Sequence, residues 1–187
     1  LYRGVTWKAL KEGISGSDGA KVEAILETLD IVFFAADGAV RFKIDGTELK
    51  NEIRTVEVNE NVSKIAAMPA VRSQVVSWLK NMKRFGNLVM EGRDIGTAVF
   101  PGAEHKFYLD ASEEERAKRR FHEIDDGAEK ITFIEVNESL KRRDAIDKGR
   151  KMDPLRIAKN AVIVDTTTMG IDEVVQFILE RLKHDRD

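Results

Sequence analysis

In residues 87–97, NLVMEGRDIGT, a short apolar run is followed directly by a glycine and by neighbouring residues of opposite charge. Residues 87–90 predict a short β-strand, and residues 91–94 follow at its carboxyl end. Ligands of open α/β sheets bind beyond the carboxyl ends of the strands, and Gly92 and Gly96 permit close approach of the backbone. The segment therefore predicts a parallel strand that leads into a polar site, in preference to a turn with a surface ion pair.

Two further apolar runs predict the rest of a parallel sheet. Residues 106–109 end in Asp110, and residues 161–164 end in Asp165. Helical patterns separate the three runs, and this alternation is typical of a parallel α/β sheet.

Residues 31–49 have a different pattern, because Asp-Gly pairs at 37–38 and 45–46 separate β-like runs. Such pairs favour tight hairpin turns, so this segment predicts a small antiparallel meander. Helical periodicity returns over residues 56–83, with a break near Pro69. No linker rich in proline and glycine divides the chain into separate domains.

The composition excludes several classes of function. The 187 residues are 42% hydrophobic and 34% charged, with a formal net charge of -2 and no cysteine. Disulfides and thiolate chemistry are excluded, and no overall basic field favours binding to nucleic acid. The apolar runs are too short to cross a membrane. The three histidines lack the spacing of metal ligands, so we predict that no metal is held by the protein itself.

Charged residues at helical spacing form a second candidate site. Arg143, Asp147 and Arg150 lie at offsets of four and seven, which places them on one face of a helix. Guanidinium groups suit phosphate oxygens or a ribose hydroxyl, and carboxylates accept hydrogen bonds from hydroxyls. On spacing alone, however, a solvated helix face is the favoured interpretation.

Further arginines fall on helices that follow the predicted strands, including Arg116, Arg119 and Arg120. Their position after acidic residues is also what the helix dipole favours. Phosphoryl transfer needs converging positive charge around the phosphates. The pattern therefore fits a nucleotide kinase, and it equally fits an anion-binding module without catalysis.

Residues 90–101, MEGRDIGTAVFP, closely resemble the Gly-Arg-Asp segment of bacterial cytidylate kinases. Residues 52–55, 108–120 and 143–150 also resemble segments of that family in a consistent register, so the resemblance covers essentially the whole chain. It implies a three-layer α/β fold of the P-loop NTPase type with a parallel sheet. It also implies transfer of the γ-phosphoryl group of ATP to CMP or dCMP.

The resemblance implies a role for each matching residue. The residues expected to bind CMP are, for the base, Ser63, Arg72 and Asp94; for the phosphate, Arg3, Arg93 and Arg150; and for the sugar, Arg143 and Asp147. The residues expected to bind ATP are Arg119, Arg120, Asp165, Thr166 and Thr167. The residues expected to act in catalysis are Arg93, Arg119 and Arg120.

The resemblance also implies domain boundaries and surroundings. Residues 1–30 and 73–187 are expected to form the kinase core, with a helical lid at about 115–133. Residues 31–72 are expected to form a small α+β insert that binds the nucleoside monophosphate. The implied cofactor is Mg²⁺ carried with ATP, and the implied partners are nucleotides, with neither nucleic acid nor membrane. A monomer in the cytoplasm is expected.

One family feature does not occur in this sequence. Members begin with a strand and a Gly-x-x-x-x-Gly-Lys-[Ser/Thr] loop that cradles the ATP phosphates, and no such pattern is found here. We expect an upstream stretch of roughly 35–40 residues, one βαβ unit in size, to supply the loop and a strand of the sheet. Residues 1–187 alone are then expected to be inactive. A non-catalytic module that binds CMP or phosphate remains the alternative.

Overall fold

A computed structural model describes residues 1–124 and 132–184. These residues form a mixed α/β structure of helices and two small sheets. In chain order its elements are α1 (Tyr2–Lys11), α2 (Gly19–Thr28), β1 (Ile31–Ala36), β2 (Ala39–Ile44), β3 (Thr47–Glu48), α3 (Val56–Ala66), α4 (Pro69–Asn81), β4 (Phe107–Asp110), α5 (Glu113–Ile124), α6 (Phe133–Gly149), β5 (Val162–Asp165) and α7 (Ile171–His184).

The best-packed core lies among the first four helices. Its buried members are apolar residues at helical spacing, namely Val5, Ala9, Val22, Ile25, Ile65, Val71 and Val75. The break predicted near Pro69 is confirmed, because α3 ends at Ala66 and α4 begins with this proline at its first turn. Proline is favoured there, since that N–H would have no helical partner. The core therefore fixes α1, α3 and α4, which carry Tyr2, Arg3, Ser63 and Arg72.

The predicted meander is confirmed as a three-stranded antiparallel sheet, in the order β1-β2-β3. Ala36 pairs with Ala39 across the first turn, and Asp37 and Gly38 both have positive φ, at 50° and 72°. Two consecutive positive φ values define the turn type whose twist matches a hairpin. The Asp-Gly pair therefore sets this register.

Strands β4 and β5 form a parallel pair, as the sequence predicted. Their register brings Asp110 opposite Asp165, so the two carboxyl ends lie side by side. The backbone N–H of Thr166 extends the pairing by donating to the Asp110 carbonyl at 2.7 Å. These strand ends therefore place polar side chains together at one edge of the sheet.

The strand predicted over residues 87–90 is wrong. These residues belong to neither sheet of the described chain, and Val89 is fully exposed. An extended segment becomes a strand only when a neighbour takes up its backbone hydrogen bonds, and no described residue does so here. The glycines that follow do behave as predicted. A Cβ atom on Gly96 would lie 3.0 Å from Cβ of Ala158, so this position allows the π-helical turn Ile95–Val99 to pack closely.

Helix α6 begins with a complete capping box. The backbone N–H of Glu135 donates to Thr132 Oγ1 at 3.3 Å, and the Glu135 carboxylate accepts from the Thr132 backbone N–H at 2.8 Å. Such reciprocal bonds satisfy two N–H groups that the helix itself leaves unpaired. The cap therefore fixes the start of the helix that carries Arg143, Asp144 and Asp147.

Replacing Thr132 with alanine should lower the free energy of unfolding by about 1 kcal/mol, because the Oγ1 that accepts from the Glu135 N–H and donates to the Glu135 carboxylate is lost. Urea denaturation followed by circular dichroism measures this change. Thr132→Ser keeps the hydroxyl and is the control. Equal losses for the two variants would show that the cap does not contribute.

The predicted lid at about 115–133 includes residues 125–131, which lie outside the described residues. Within the described ranges, no helix is long and apolar enough to cross a membrane.

Candidate active site

A fully buried arginine, Arg72 on α4, lies at the centre of the site. Its Nη2 donates to Oδ2 of Asp94, and its Nη1 donates to the Ala66 carbonyl at 3.2 Å. The guanidinium also lies over the ring of Tyr2, with Cζ 5.3 Å from the ring centroid. The Tyr2 hydroxyl donates to the same Asp94 oxygen at 3.5 Å. Because both donors meet Oδ2, the lone pairs of Asp94 Oδ1 stay available to a ligand.

The charge states of this group are fixed by its surroundings. Burial raises the pKa of Tyr2, and the Asp94 carboxylate raises it further, so the phenol stays protonated and keeps donating. Burial alone would lower the pKa of Arg72, but its contacts with Tyr2, Asp94 and Asp153 raise it overall. The arginine therefore remains a cation within the protein interior.

Asp153 connects Arg72 with a second buried arginine, Arg150. Arg72 Nε donates to Asp153 Oδ2 at 3.1 Å, and Arg150 Nε donates to the Asp153 carbonyl at 2.7 Å. Arg150 Nη1 then donates to Oδ1 of Asp147 at 3.2 Å. A continuous chain of polar contacts thus runs from Asp94 through Arg72 and Arg150 to the end of α6.

Asp144 on α6 holds two further arginines. Its Oδ1 accepts from Arg93 Nη1 at 2.5 Å, and its Oδ2 accepts from Arg116 Nη1. Arg93 Nη1 also lies 3.2 Å from Oδ2 of Asp147. Burial alone would raise the pKa of Asp144, but the hydrogen bonds from Arg93 and Arg116 lower it. This carboxylate therefore orients Arg93 beside the contact chain of Arg150 and Asp147.

The lowered pKa of Asp144 predicts an acid-sensitive contribution to stability. A depressed pKa stabilises the fold above the unfolded value, about 3.9 for aspartate, and this contribution is lost as the pH falls through the lower folded value. Urea denaturation of the wild type between pH 6 and pH 2 should therefore show a loss that Asp144→Asn lacks. Parallel pH profiles for the two proteins would contradict this role.

Arginines of α1 and α5 converge on Asn59 of α3, and Arg143 of α6 lies near them. Arg3 Nη1 and Arg120 Nη2 both donate to the neutral Asn59, at 2.6 and 3.4 Å. Burial, together with the charges of Arg143 and Arg120, lowers the pKa of Arg3 to about 10. Burial and the charge of Arg93 lower the pKa of Arg143 in the same way. An anion bound among these groups would relieve their repulsion.

Several buried donors in this region have no hydrogen-bond partner within the described residues. They are Nε of Arg116, Nε of Arg143 and Nη2 of Arg150. A buried donor left unpaired costs about 1–3 kcal/mol, so such groups call for an explanation. A phosphate offers several acceptor oxygens in a small volume, and the cluster has the charge and donors to bind one.

Arg119 on α5 lies at the strand ends. It donates to Thr166 Oγ1 at 3.0 Å and to the Thr166 carbonyl at 2.6 Å. Next to it, Asp165 Oδ1 accepts from the backbone N–H of Thr167 at 2.9 Å. The structure thus gathers Arg119, Asp165, Thr166 and Thr167 at the edge formed by β4 and β5.

The comparison with protein families shows which family the chain belongs to. The family model described as "Cytidylate kinase" matches residues 1–184. The chain belongs to the cytidylate kinase family. A mixed α/β fold with a small parallel sheet is consistent with the nucleoside monophosphate kinases of the P-loop class.

Curated relatives of the family are similar over almost the whole chain. A cytidylate kinase of Clostridium botulinum is 40% identical over 185 residues, covering 99% of this chain and 83% of the relative. One of Caldanaerobacter subterraneus subsp. tengcongensis is 38% identical, covering 98% and 80%. One of Caldicellulosiruptor bescii is 37% identical, covering 96% and 80%.

The structure joins most of the residues expected to bind CMP. Contacts link Arg72, Asp94, Arg93, Asp147 and Arg150 in one network, and Arg3 and Arg143 are coupled to each other through charge. Ser63 is buried on α3, one turn before Ala66, whose carbonyl binds Arg72.

The two lid arginines, by contrast, point to different regions. Arg119 binds Thr166 at the strand ends, while Arg120 binds Asn59 and Glu123. Arg120 therefore lies near Arg3, which also binds Asn59, and Arg119 lies with the residues expected to bind ATP.

Four polar residues of the network received no role from the sequence, namely Tyr2, Asn59, Asp144 and Asp153. Their side-chain contacts span 28 to 92 positions of the chain, apart from the shorter Arg54–Asn59 link. Such contacts leave no trace in local periodicity. The sequence indicates for Arg116 only a position that suits the helix dipole. The structure adds a contact with Asp144, which makes Arg116 part of the network.

Within the described residues, no group of three histidine or carboxylate side chains could hold a metal ion.

Proposed function

We propose that this chain transfers the γ-phosphoryl group of ATP to CMP or dCMP, giving CDP or dCDP in pyrimidine nucleotide metabolism. Membership of the cytidylate kinase family makes it a nucleoside monophosphate kinase, hence a phosphotransferase. Neither the expected inactivity of residues 1–187 nor the alternative of a non-catalytic module is supported, because the relatives are named as kinases. The observation that carries the proposal is the buried Arg72–Asp94 pair joined by contacts to the arginine cluster.

The Arg72–Asp94 pair, where the base of CMP is proposed to bind, has the donors and acceptors that cytosine requires. Cytosine presents a donor at N4 and acceptors at N3 and O2, and Asp94 Oδ1 has lone pairs for the N4 donor. Arg72 and Ser63 would donate to the ring acceptors. Uracil carries an acceptor at position 4 and a donor at N3, so it would leave a buried carboxylate unpaired. This chemistry supports a preference for CMP over UMP.

At the other end, the arginine cluster suits the CMP phosphate and sugar. We assign Arg3, Arg93 and Arg150 to the phosphate, since Arg3 and Arg150 have pKa values lowered by burial and by neighbouring cations. We assign Arg143 and Asp147 to the sugar hydroxyls. The attacking oxygen belongs to an ionised phosphate, so no strong general base is required.

On the donor side, Arg119 would bind ATP with Asp165, Thr166 and Thr167. Arg93, Arg119 and Arg120 would stabilise the charge that develops on the transferring phosphoryl group. Closure of the lid over both nucleotides would exclude water and prevent wasteful hydrolysis. Mg²⁺ would enter with ATP, coordinated mainly by the phosphate oxygens.

We also propose the domain division given by the resemblance, with residues 31–72 as the insert that binds CMP. A P-loop βαβ unit would complete the sheet and cradle the ATP phosphates. Exposed apolar residues support this, since Leu109 is 53% exposed and Ile163 is 58% exposed on the parallel strands. Parallel sheets are normally covered on both faces. We also propose that the protein is a monomer in the cytoplasm, where ATP and CMP are available.

The test measures binding and turnover separately. Calorimetric titration of the chain with CMP should give an affinity at least about tenfold higher than with UMP, because only CMP satisfies Asp94. A chain extended at its N-terminus by a P-loop βαβ unit should then form ADP from ATP, Mg²⁺ and CMP. Equal affinity for CMP and UMP would contradict the base site. CMP binding without ADP formation by that protein would contradict the kinase function.

A further inference from the structure

Asp153 lies between the two ends of the proposed CMP site and contacts an arginine of each. Its side chain accepts from Arg72 and its backbone carbonyl accepts from Arg150. We propose that Asp153 is a positioning residue, which holds the base-binding Arg72 in place for CMP and ties it to the phosphate-binding Arg150. The inference rests on the proposed function and deepens it.

The side chain of Asp153 is needed because Asp94 has two tasks. Arg72 is fully buried, so its charge requires compensation within the protein. Asp94 provides one carboxylate, but this group also has to accept the N4 amino group of cytosine. Asp153 provides a second carboxylate on Nε of Arg72, at 3.1 Å. Arg72 therefore keeps a counter-charge and a fixed plane while Asp94 binds the base.

The guanidinium plane of Arg72 is defined from several directions. Asp153 binds Nε, Asp94 binds Nη2, the Ala66 carbonyl binds Nη1, and the Tyr2 ring lies against one face. Of the two carboxylates, only that of Asp153 contacts Nε. Losing it would remove one of these restraints, so that the guanidinium can shift and displace the hydrogens that cytosine has to meet.

The backbone of Asp153 is equally specific. Its φ is 45°, in the left-handed region that aspartate and asparagine tolerate better than most other side chains. In this conformation the carbonyl accepts from Arg150 Nε at 2.7 Å while the side chain accepts from Arg72. Glycine would adopt the same φ without a side chain, so it can remove one contact and preserve the other.

The experiment uses that property. Asp153→Gly removes the contact with Arg72 and retains the backbone, and Asp153→Asn retains an acceptor but removes the charge. Calorimetric titrations with CMP and with ribose 5-phosphate compare a ligand that reaches Arg72 with one that has no base. We expect Asp153→Gly to weaken CMP binding about tenfold and Asp153→Asn about threefold. Ribose 5-phosphate should change by less than about twofold in both variants, because the carbonyl still holds Arg150.

Asn160→Gly is the matched control, since Asn160 is exposed and also has a positive φ, 61°. It should leave both affinities unchanged. Equal weakening for the two ligands, or unchanged CMP affinity, would overturn the positioning role. If the glycine variant does not fold, the asparagine variant decides by the same comparison. Failure of the proposed function is distinct, because the wild type would then bind ribose 5-phosphate as tightly as CMP.

Discussion

Replacing Asp94 with asparagine should convert the preference for CMP into a preference for UMP. The carboxylate accepts from the N4 amino group of cytosine, whereas the amide of asparagine can donate to O4 of uracil. We expect CMP binding to weaken about 100-fold and UMP binding to improve about tenfold, because a mismatched buried polar group is left unpaired. Calorimetric titration of the variant with both nucleotides measures the two changes.

In this variant, an effect on folding has to be distinguished from an effect on recognition of the base. Asp94 also binds the buried Arg72, and removing one partner of a buried ion pair can destabilise the fold by about 3–5 kcal/mol. Asparagine keeps an acceptor for Arg72, so a measurable but smaller decrease in melting temperature is expected. Asp172→Asn, at an exposed position on α7, is the control. An unchanged ratio of CMP to UMP affinity would show that Asp94 does not recognise the base.

The local elements of this fold could be predicted because their signals are local. The Asp-Gly pairs fix the turns of the meander, and Pro69 starts α4. In each case the deciding contact joins residues close in sequence. The strand predicted over residues 87–90 failed because a strand also depends on a distant partner, and apolar character alone does not supply one.

The site divides in the same way, into contacts between residues close in sequence and contacts between distant residues. Arg150 directly follows α6, and its closeness to Asp147 on the last turn could be predicted from helical spacing. Contacts between Arg72 and Asp153, or between Arg116 and Asp144, join different elements and depend on tertiary structure. The family resemblance named most of the arginines that the structure joins by contacts, since it carries tertiary information that composition and periodicity do not. It gave Asp144 and Asp153 no role, and these carboxylates set the orientation of the arginines.

Arg150 offers the sharpest test of the phosphate end. Its side chain is 5% exposed, its Nη2 has no partner among the described residues, and burial and the charge of Arg72 lower its pKa. Arg150→Ala should therefore weaken CMP binding about 100-fold, because a charge-assisted pair with phosphate is worth about 1.5–3 kcal/mol. Binding of cytidine, which has no phosphate, should change less than about threefold.

Two further variants distinguish loss of phosphate binding from loss of structure. Arg150→Lys keeps the charge but loses the fork that contacts Asp147 and Asp153 together, so its CMP affinity should lie between those of the wild type and the alanine variant. Arg156→Ala, at an exposed position of the same loop, should leave CMP affinity unchanged. If Arg150→Ala weakened cytidine as strongly as CMP, Arg150 would act by holding Asp147 and Asp153 in place. A selective loss of CMP affinity would instead mean that the unpaired Nη2 is the donor to the phosphate.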